Sequence, residues 1–259
     1  MADRSGNNPR MSSPTDPHGD CLAAFEEPVR LWFNENFAAP TAAQQAAWPV
    51  IARGEHALVT APTGSGKTLT AFLWALNAFS AGLWETGTTR VLYVSPLKAL
   101  NNDIQRNLLT PLEALTARSS MPPIRVQTRS GDTPQNDRQR MLRRPPEILI
   151  TTPESLTLLL TSARGRLSLR GVETVILDEI HALVDNRRGT LLLTALERLA
   201  NLAGVFQRIA LAATVRPLAD LARYVAGRNE AGEPRAMQLI EAAWDKPVEL
   251  TVCFPEQAR

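Results

Sequence analysis

Three groups of residues in this chain have the types and spacing to handle a phosphate chain. The first is Ala-Pro-Thr-Gly-Ser-Gly-Lys-Thr, Ala61 to Thr68. It follows a short apolar run, Ala57 to Thr60, that reads as a buried strand, and it precedes an apolar helical stretch, Leu69 to Ala81. Between a strand and a helix, glycines let the backbone curl so that several N–H groups converge, with the positive end of the helix behind them. Thr63, Gly64, Ser65 and Gly66 supply that curl. Lys67 then reaches the β- and γ-phosphates, and the Thr68 hydroxyl ligates Mg²⁺. The loop pattern G-x-x-x-x-G-K-[ST] has Ala61 in place of its first glycine, but its Gly-Lys-Thr end and its strand–loop–helix setting are intact.

The second group is Asp178-Glu179-Ile180-His181, directly after the apolar run Val175 to Leu177. Two adjacent carboxylates at the tip of a buried strand cost desolvation and repel each other, costs that Mg²⁺ and Lys67 would offset. Asp178 is assigned to Mg²⁺ through water. Glu179 is assigned to polarising or positioning the attacking water. His181 is either a structural histidine or a link to neighbouring elements through its ring nitrogens. The third group is Gln44, on the first turn of a helix that Pro40 and Thr41 should open. A glutamine amide carries a donor and an acceptor, the pair needed to meet an adenine edge. Lysine usage adds weight to the first group. Only Lys67, Lys98 and Lys246 are lysines among 28 basic residues, so a compact ammonium was kept where arginine is otherwise the rule.

The remaining pattern supplies the elements that must hold these groups. Leu22 to Phe37 has helical spacing of apolar residues. Strands are expected at 57–60, 90–95, 124–128, 147–151, 172–177, 206–212, 235–240 and 248–254. Helices are expected after the first, second, fourth, fifth and sixth of these, including 101–116, 189–203 and 217–226. Such alternation implies an α/β domain with a parallel sheet, and in open sheets of that kind ligands bind beyond the carboxyl ends of the strands. The run Arg138 to Arg144 is basic and is either a solvated helix face or a contact surface.

With 259 residues, 44% apolar and 21% charged, the composition is that of an ordinary globular domain. A net charge of +2 leaves any nucleic-acid footprint to local clusters. Cys21 and Cys253 lie near opposite ends and make no metal-ligand spacing, and a disulfide is not expected in what reads as a cytoplasmic chain. Residues 1–20, rich in Ser, Pro, Asn and Asp, are expected to be a disordered tail. No apolar signal core or bilayer-length run is present.

Gln44, Ala61–Thr68, Pro96–Leu100, Thr152–Ser155, Asp178–His181 and Ala212–Thr214 occur in the order of the Q motif and motifs I, Ia, Ib, II and III. On these residues the chain resembles the first RecA-like domain of superfamily 2 helicases of the DEAD/DEAH type. The Asp-Glu-Ile-His box, Arg188-Gly189, Leu196–Leu199 and Thr214–Pro217 look most like the large helicase-related (Lhr) group, which is linked to DNA repair. The resemblance implies an α/β, RecA-like P-loop NTPase fold over residues 21–254, a mostly parallel twisted sheet with helices on both faces. It implies ATP and Mg²⁺ as cofactors. It also implies that single-stranded or 3′-tailed DNA, or RNA, crosses the domain by Pro96, Leu97, Lys98, Arg129, Gly131, Thr152, Pro153, Glu154 and Ser155. Lys98 either adds a charge there or faces solvent.

In the family, motif III is usually Ser-Ala-Thr and couples nucleotide state to nucleic-acid engagement. Here Ala212 replaces the serine and Thr214 keeps one hydroxyl, so altered coupling through His181, Ala212 and Thr214 is the expectation. Family helicases also carry an arginine finger on a second RecA-like domain. Residues 255–259 would begin the linker to that domain. A motor half lacking it should bind ATP–Mg²⁺ weakly, turn over very slowly and not unwind duplexes alone. A standalone binding module completed in trans is the competing expectation. A small-molecule kinase has no need of Gln44 or the Asp178–His181 box.

Overall fold

The computed structural model describes residues 21–96, 101–119, 121–184, 186–213 and 216–242. The motif residues Leu97, Lys98 and Thr214, the 1–20 tail, the 248–254 strand and the 255–259 linker lie outside the described residues.

Two helices come first, α1 (Glu27–Asn36) and α2 (Ala42–Ala52). Chain order then runs β1 (Ala57–Thr60), α3 (Lys67–Ser80), β2 (Val91–Val94) and α4 (Asn101–Ile104). A π-helical turn, Gln105–Leu109, joins α4 to α5 (Thr110–Arg118), so the single helix expected over 101–116 carries an insertion in its middle. β3 (Val126–Arg129), α6 (Gln135–Arg143), β4 (Ile148–Thr151), α7 (Pro153–Thr161) and α8 (Ala163–Leu169) follow. The last elements are β5 (Thr174–Leu177), a 3₁₀ turn (Ile180–Ala182), α9 (Arg187–Ala203), β6 (Gln207–Ala212), α10 (Leu218–Ala226) and β7 (Gln238–Glu241).

Among the described residues the strands form one seven-stranded sheet in the order β3-β4-β2-β5-β6-β1-β7. Every pairing is parallel, so "mostly parallel" tightens to all-parallel here. The two-residue period of a strand then sorts the core. Val59, Tyr93, Ile150, Ile176 and Leu211 face α1, α2, α3 and α5. Leu58, Leu92, Leu149, Val175, Leu177 and Ala210 face α7, α8, α9 and α10. The inner strands are apolar on both faces because helices cover both, which is why their sequences read as continuous hydrophobic runs.

The start of α9 shows how closely that helix packs on the turn leading into it. Asn186 caps it by accepting from Arg188 N and Gly189 N. A Cβ on Gly189 would stand 1.9 Å from the Leu183 carbonyl oxygen. Alanine in a helix normally gains about 0.5–1 kcal/mol over glycine. Gly189→Ala is therefore expected to reverse that sign and destabilise by about 1–3 kcal/mol, because backbone rather than a flexible side chain must give way. Urea unfolding measures it; a stabilised variant would show that the α9 start is not packed this way.

Candidate functional site

The loop Ala61–Thr68 leaves the end of β1, and Asp178 and Glu179 leave the end of β5. Only β6 separates those strands. Parallel pairing points all three ends the same way, so lysine and carboxylates meet on one edge of the sheet.

The loop has the backbone its sequence calls for. Gly64 and Gly66 adopt φ of +80° and +83°, the left-handed region where glycine carries no Cβ penalty. A Cβ on Gly66 would also meet Gln44 Nε2 at 2.8 Å. Lys67 begins α3 and is 7% exposed. Its Nζ donates to the carbonyls of Ala61 and Pro62, so the ammonium is folded back over its own loop. Burial pulls its pKa down, while Glu179 and Asp178 pull it back up. Ser65 Oγ is buried without a hydrogen-bond partner, and Thr68 is half-buried nearby in sequence. A buried hydroxyl with no partner, a partly desolvated ammonium and a glycine-curled backbone fit an anion with several acceptor oxygens.

Opposite, Asp178 is 5% exposed. Burial pushes its carboxyl above the usual carboxylate range, with the Glu179 charge adding and the Tyr93 hydroxyl and Lys67 opposing. Tyr93 Oη donates to Asp178 Oδ2, and Glu179 N donates to Oδ1 at 2.9 Å. Burial, then the Asp178 charge, raises the phenol pKa, so Tyr93 remains a proton donor. Sequence reasoning missed Tyr93. It is 85 residues from Asp178 in the chain and reads as one more apolar strand residue. Glu179 has φ +50°, a left-handed conformation uncommon outside glycine. That turn leaves its side chain about one-third exposed beside His181.

His181 Nδ1 lies 3.3 Å from Glu179 Oε2 and 3.3 Å from Ala213 N. One nitrogen cannot serve both. Without a proton it accepts from Ala213; with a proton it donates to Glu179. The histidine thus bridges the carboxylate turn and the end of β6. Ala212 is fully buried in β6, and its carbonyl accepts from Ala61 N at 3.3 Å, joining that strand to the first residue of the loop.

Thr41 and Gln44 form a reciprocal capping box, with Thr41 N donating to Gln44 Oε1 at 2.9 Å and Gln44 N to Thr41 Oγ1 at 3.3 Å. Thr41 Oγ1 also donates to Ser65 O at 2.8 Å. The glutamine's acceptor therefore serves its own helix cap here, and α2 is bonded directly to the loop.

Of the residues expected along a nucleic-acid path, Pro96, Arg129, Gly131 and Thr152–Ser155 are described, and they lie at or just after the carboxyl ends of β2, β3 and β4. Thr152 caps α7 by accepting from Ser155 N, with Pro153 at the first helical position, as the sequence implies. Thr152, Pro153 and Ser155 are buried, and Glu154 is exposed. Arg188, noted from sequence only as part of the Arg-Gly pair, knits this path together. It pairs with Glu154 at 2.5 Å and donates to Pro96 O at 3.1 Å. The pair holds the Glu154 carboxyl below its usual range. The loop Arg129–Thr133 ends β3 and is held by Arg138, whose Nη2 donates to Gly131 O at 2.6 Å. Arg129 Nη1 and Arg138 Nε are buried without partners.

The DEAD/DEAH box helicase family matches residues 41–221. The chain is 46% identical over 235 residues to "ATP-dependent helicase Lhr-Core protein 2" of Thermococcus barophilus, covering 87% of this chain and 27% of that protein. It is 51% identical over 216 residues to "Lhr helicase/ probable uracil glycosylase" of Mycolicibacterium smegmatis, covering 81% and 14%. Among solved structures it resembles Mycobacterium smegmatis helicase Lhr bound to ssDNA and AMP-PNP, with a TM-score of 0.78, 47% identity, and 86% of this chain and 28% of that one covered. The chain thus spans between about a seventh and a quarter of the length of these curated relatives. No helix among the described residues is long and apolar enough to cross a membrane. The matched span takes in Gln44, the phosphate loop, the Asp178–His181 turn and the end of β6, and on it this chain belongs to the DEAD/DEAH box helicase family, with an α/β RecA-like fold and similarity to the Lhr helicases.

Proposed function

We propose that this chain is the ATP-binding half of a nucleic-acid motor, with DNA as its polymer. The observation that carries the reading is the meeting of Lys67 with Asp178 and Glu179 on one sheet edge, next to the unpartnered Ser65 hydroxyl. The loop amides of residues 63–66 and Lys67 hold the phosphates, and Thr68 and Asp178 hold Mg²⁺. When bound, Mg²⁺ neutralises phosphate charge and orients the leaving group. Glu179 accepts a proton from, or aims, the attacking water. Gln44 turns its amide to the adenine edge. Tyr93 Oη and the Glu179 amide each donate to one Asp178 oxygen, which would hold the carboxylate in the orientation that a metal-bound water needs.

His181, Ala212 and Thr214 carry the state of this site toward the strand path. That path runs over Pro96, Leu97, Lys98, the Arg129–Gly131 loop and Thr152–Ser155, where backbone groups, hydroxyls and helix N-termini grip phosphates without reading bases. DNA is favoured because the Mycobacterium smegmatis relative is described with ssDNA. Unwinding and translocation belong to a longer assembly, in which a second RecA-like unit supplies the arginine finger. In related phosphoryl transfer that group is worth ~10³–10⁵ in rate.

Binding of a non-hydrolysable ATP analogue tests the reading directly. Affinity should fall by at least about tenfold, or 1.4 kcal/mol, when Mg²⁺ is chelated. Equal affinity with and without the metal would remove Thr68 and Asp178 from its coordination.

A further inference from the structure

Helix α6 carries a second positive surface that the site above does not use. Asn136, Gln139, Arg140 and Arg143 recur at helical spacing and, with Arg144, line one hollow of about 450 Å³. No acidic residue lines it. Arg140 makes one loose ion pair, with Asp137 at 3.4 Å, and Arg143 and Arg144 make none among the described residues. All three arginines are exposed. The opposite side of α6 is the anchored one: Met141 is buried in the core shared with α7 and α9. α8 packs beside α6 and contributes two more exposed arginines, Arg164 and Arg166, with no acid in Ala163–Leu169. A chain of net charge +2 has gathered exposed arginines on these two neighbouring helices.

This face is continuous with the Arg129–Gly131 loop. Arg138 leaves α6 from its inner side and ties that loop to the helix through the carbonyls of Ser130 and Gly131. Arg129 and Arg138 crowd each other, and burial followed by the Arg138 charge lowers the Arg129 pKa. Each has a buried guanidinium nitrogen with no partner. The positive charge therefore runs from the loop, through α6, to the hollow around Arg140, Arg143 and Arg144. Among the described residues β3 is an edge strand, so no further strand lies beyond it. At 1.5 Å per residue α6 is about 14 Å long.

We propose that the outer face of α6 is a separate phosphate-backbone contact, taking the nucleic-acid strand where it leaves the Arg129–Gly131 loop. The inference rests on the nucleic-acid path proposed above. Arg140, Arg143 and Arg144 bind successive phosphates, and Asn136 and Gln139 offer amide donors to the same oxygens. The contact is sequence-independent and sensitive to salt, as phosphate neutralisation requires.

The test compares the chain with its Arg140→Gln, Arg143→Gln, Arg144→Gln triple variant. Binding is measured to single-stranded DNA of roughly 6 and roughly 20 nucleotides, lengths near the lower end of and above typical single-strand site sizes. The short strand covers the loops alone and should bind both proteins equally. The long strand should bind the variant at least tenfold more weakly. The slope of log affinity against log salt should shrink by about 2, since each of the three neutralised phosphates counts ~0.7 on single strands. A control with Arg30, Arg53 and Arg223 changed to Gln removes the same charge from other elements and should leave the long strand bound as before. Equal loss in the control overturns the proposal, because bulk charge then explains the effect. An unchanged long-strand affinity in the triple variant overturns it too. So does loss of binding to polyglutamate with DNA binding intact, which would assign the face to an acidic protein. If the unaltered chain binds neither DNA, the nucleic-acid path itself falls; if it binds both and the variant matches it, only the α6 contact falls. Circular dichroism of the exposed triple variant is expected to match the parent.

Discussion

Lys67→Ala is expected to remove nucleotide binding and leave the fold standing. The two effects separate because of what Nζ touches. Its hydrogen-bond partners among the described residues are the carbonyls of Ala61 and Pro62, at the base of a loop whose Thr63 and Gly64 are exposed. Water can serve the part-buried Pro62 carbonyl once the side chain is gone. Burial already disfavours the Lys67 charge in the folded state, and the carboxylates of Glu179 and Asp178 return only part of that cost. Removing the ammonium should therefore change stability by no more than about 1 kcal/mol. Binding has no such substitute. A hydrogen bond to a charged group contributes about 1.5–3 kcal/mol. With its bonds to both the β- and γ-phosphates gone, affinity should fall by about 10²–10⁴. Calorimetric titration with an ATP analogue, paired with urea unfolding, reads both quantities. Retained affinity in a folded variant would place the phosphates somewhere other than this loop.

Glu179→Gln should do the converse, keeping nucleotide and losing turnover. The residue stands in a left-handed turn, and glutamine has the same shape and the same backbone cost there. The Asp178 carboxylate still accepts from the amide of residue 179, a main-chain bond the substitution does not touch. Tyr93 still holds its other oxygen. What disappears is the charge that attracts a proton from the attacking water. A positioned general base contributes about 10²–10⁴ in rate, so hydrolysis by the motor proposed above should fall by that factor, with analogue affinity changed less than about threefold. Hydrolysis within twofold of the parent would assign the water to another group. A parallel loss of affinity would instead mean that Glu179 helps hold the metal.

Both results depend on geometry that was partly legible beforehand. The phosphate loop, the acidic pair and the Thr152 helix cap are each contained in fewer than ten consecutive residues. Their chemistry follows from local backbone rules: glycine where φ is positive, a hydroxyl or amide at a helix start, carboxylates at a strand tip. The alternation of elements announced parallel order, and the family resemblance implied helices on both faces of the sheet. The π-helical turn at Gln105–Leu109 and the short α8 left no such mark. An inserted residue keeps the apolar content of a helix while shifting its phase.

What this sequence determined alone was the set of local devices and the kind of layer that would hold them. Only the folded chain decided which devices meet. Placing β6 between β1 and β5 put the lysine opposite the carboxylates, and placing β2 against β5 gave Asp178 its Tyr93 donor. Arg188 reaches Pro96 across 92 residues of sequence, and His181 reaches Ala213 across 32. Spacing along a chain carries information only over a turn or two of regular structure, since beyond that the separation of two residues in space is set by strand order and layer packing.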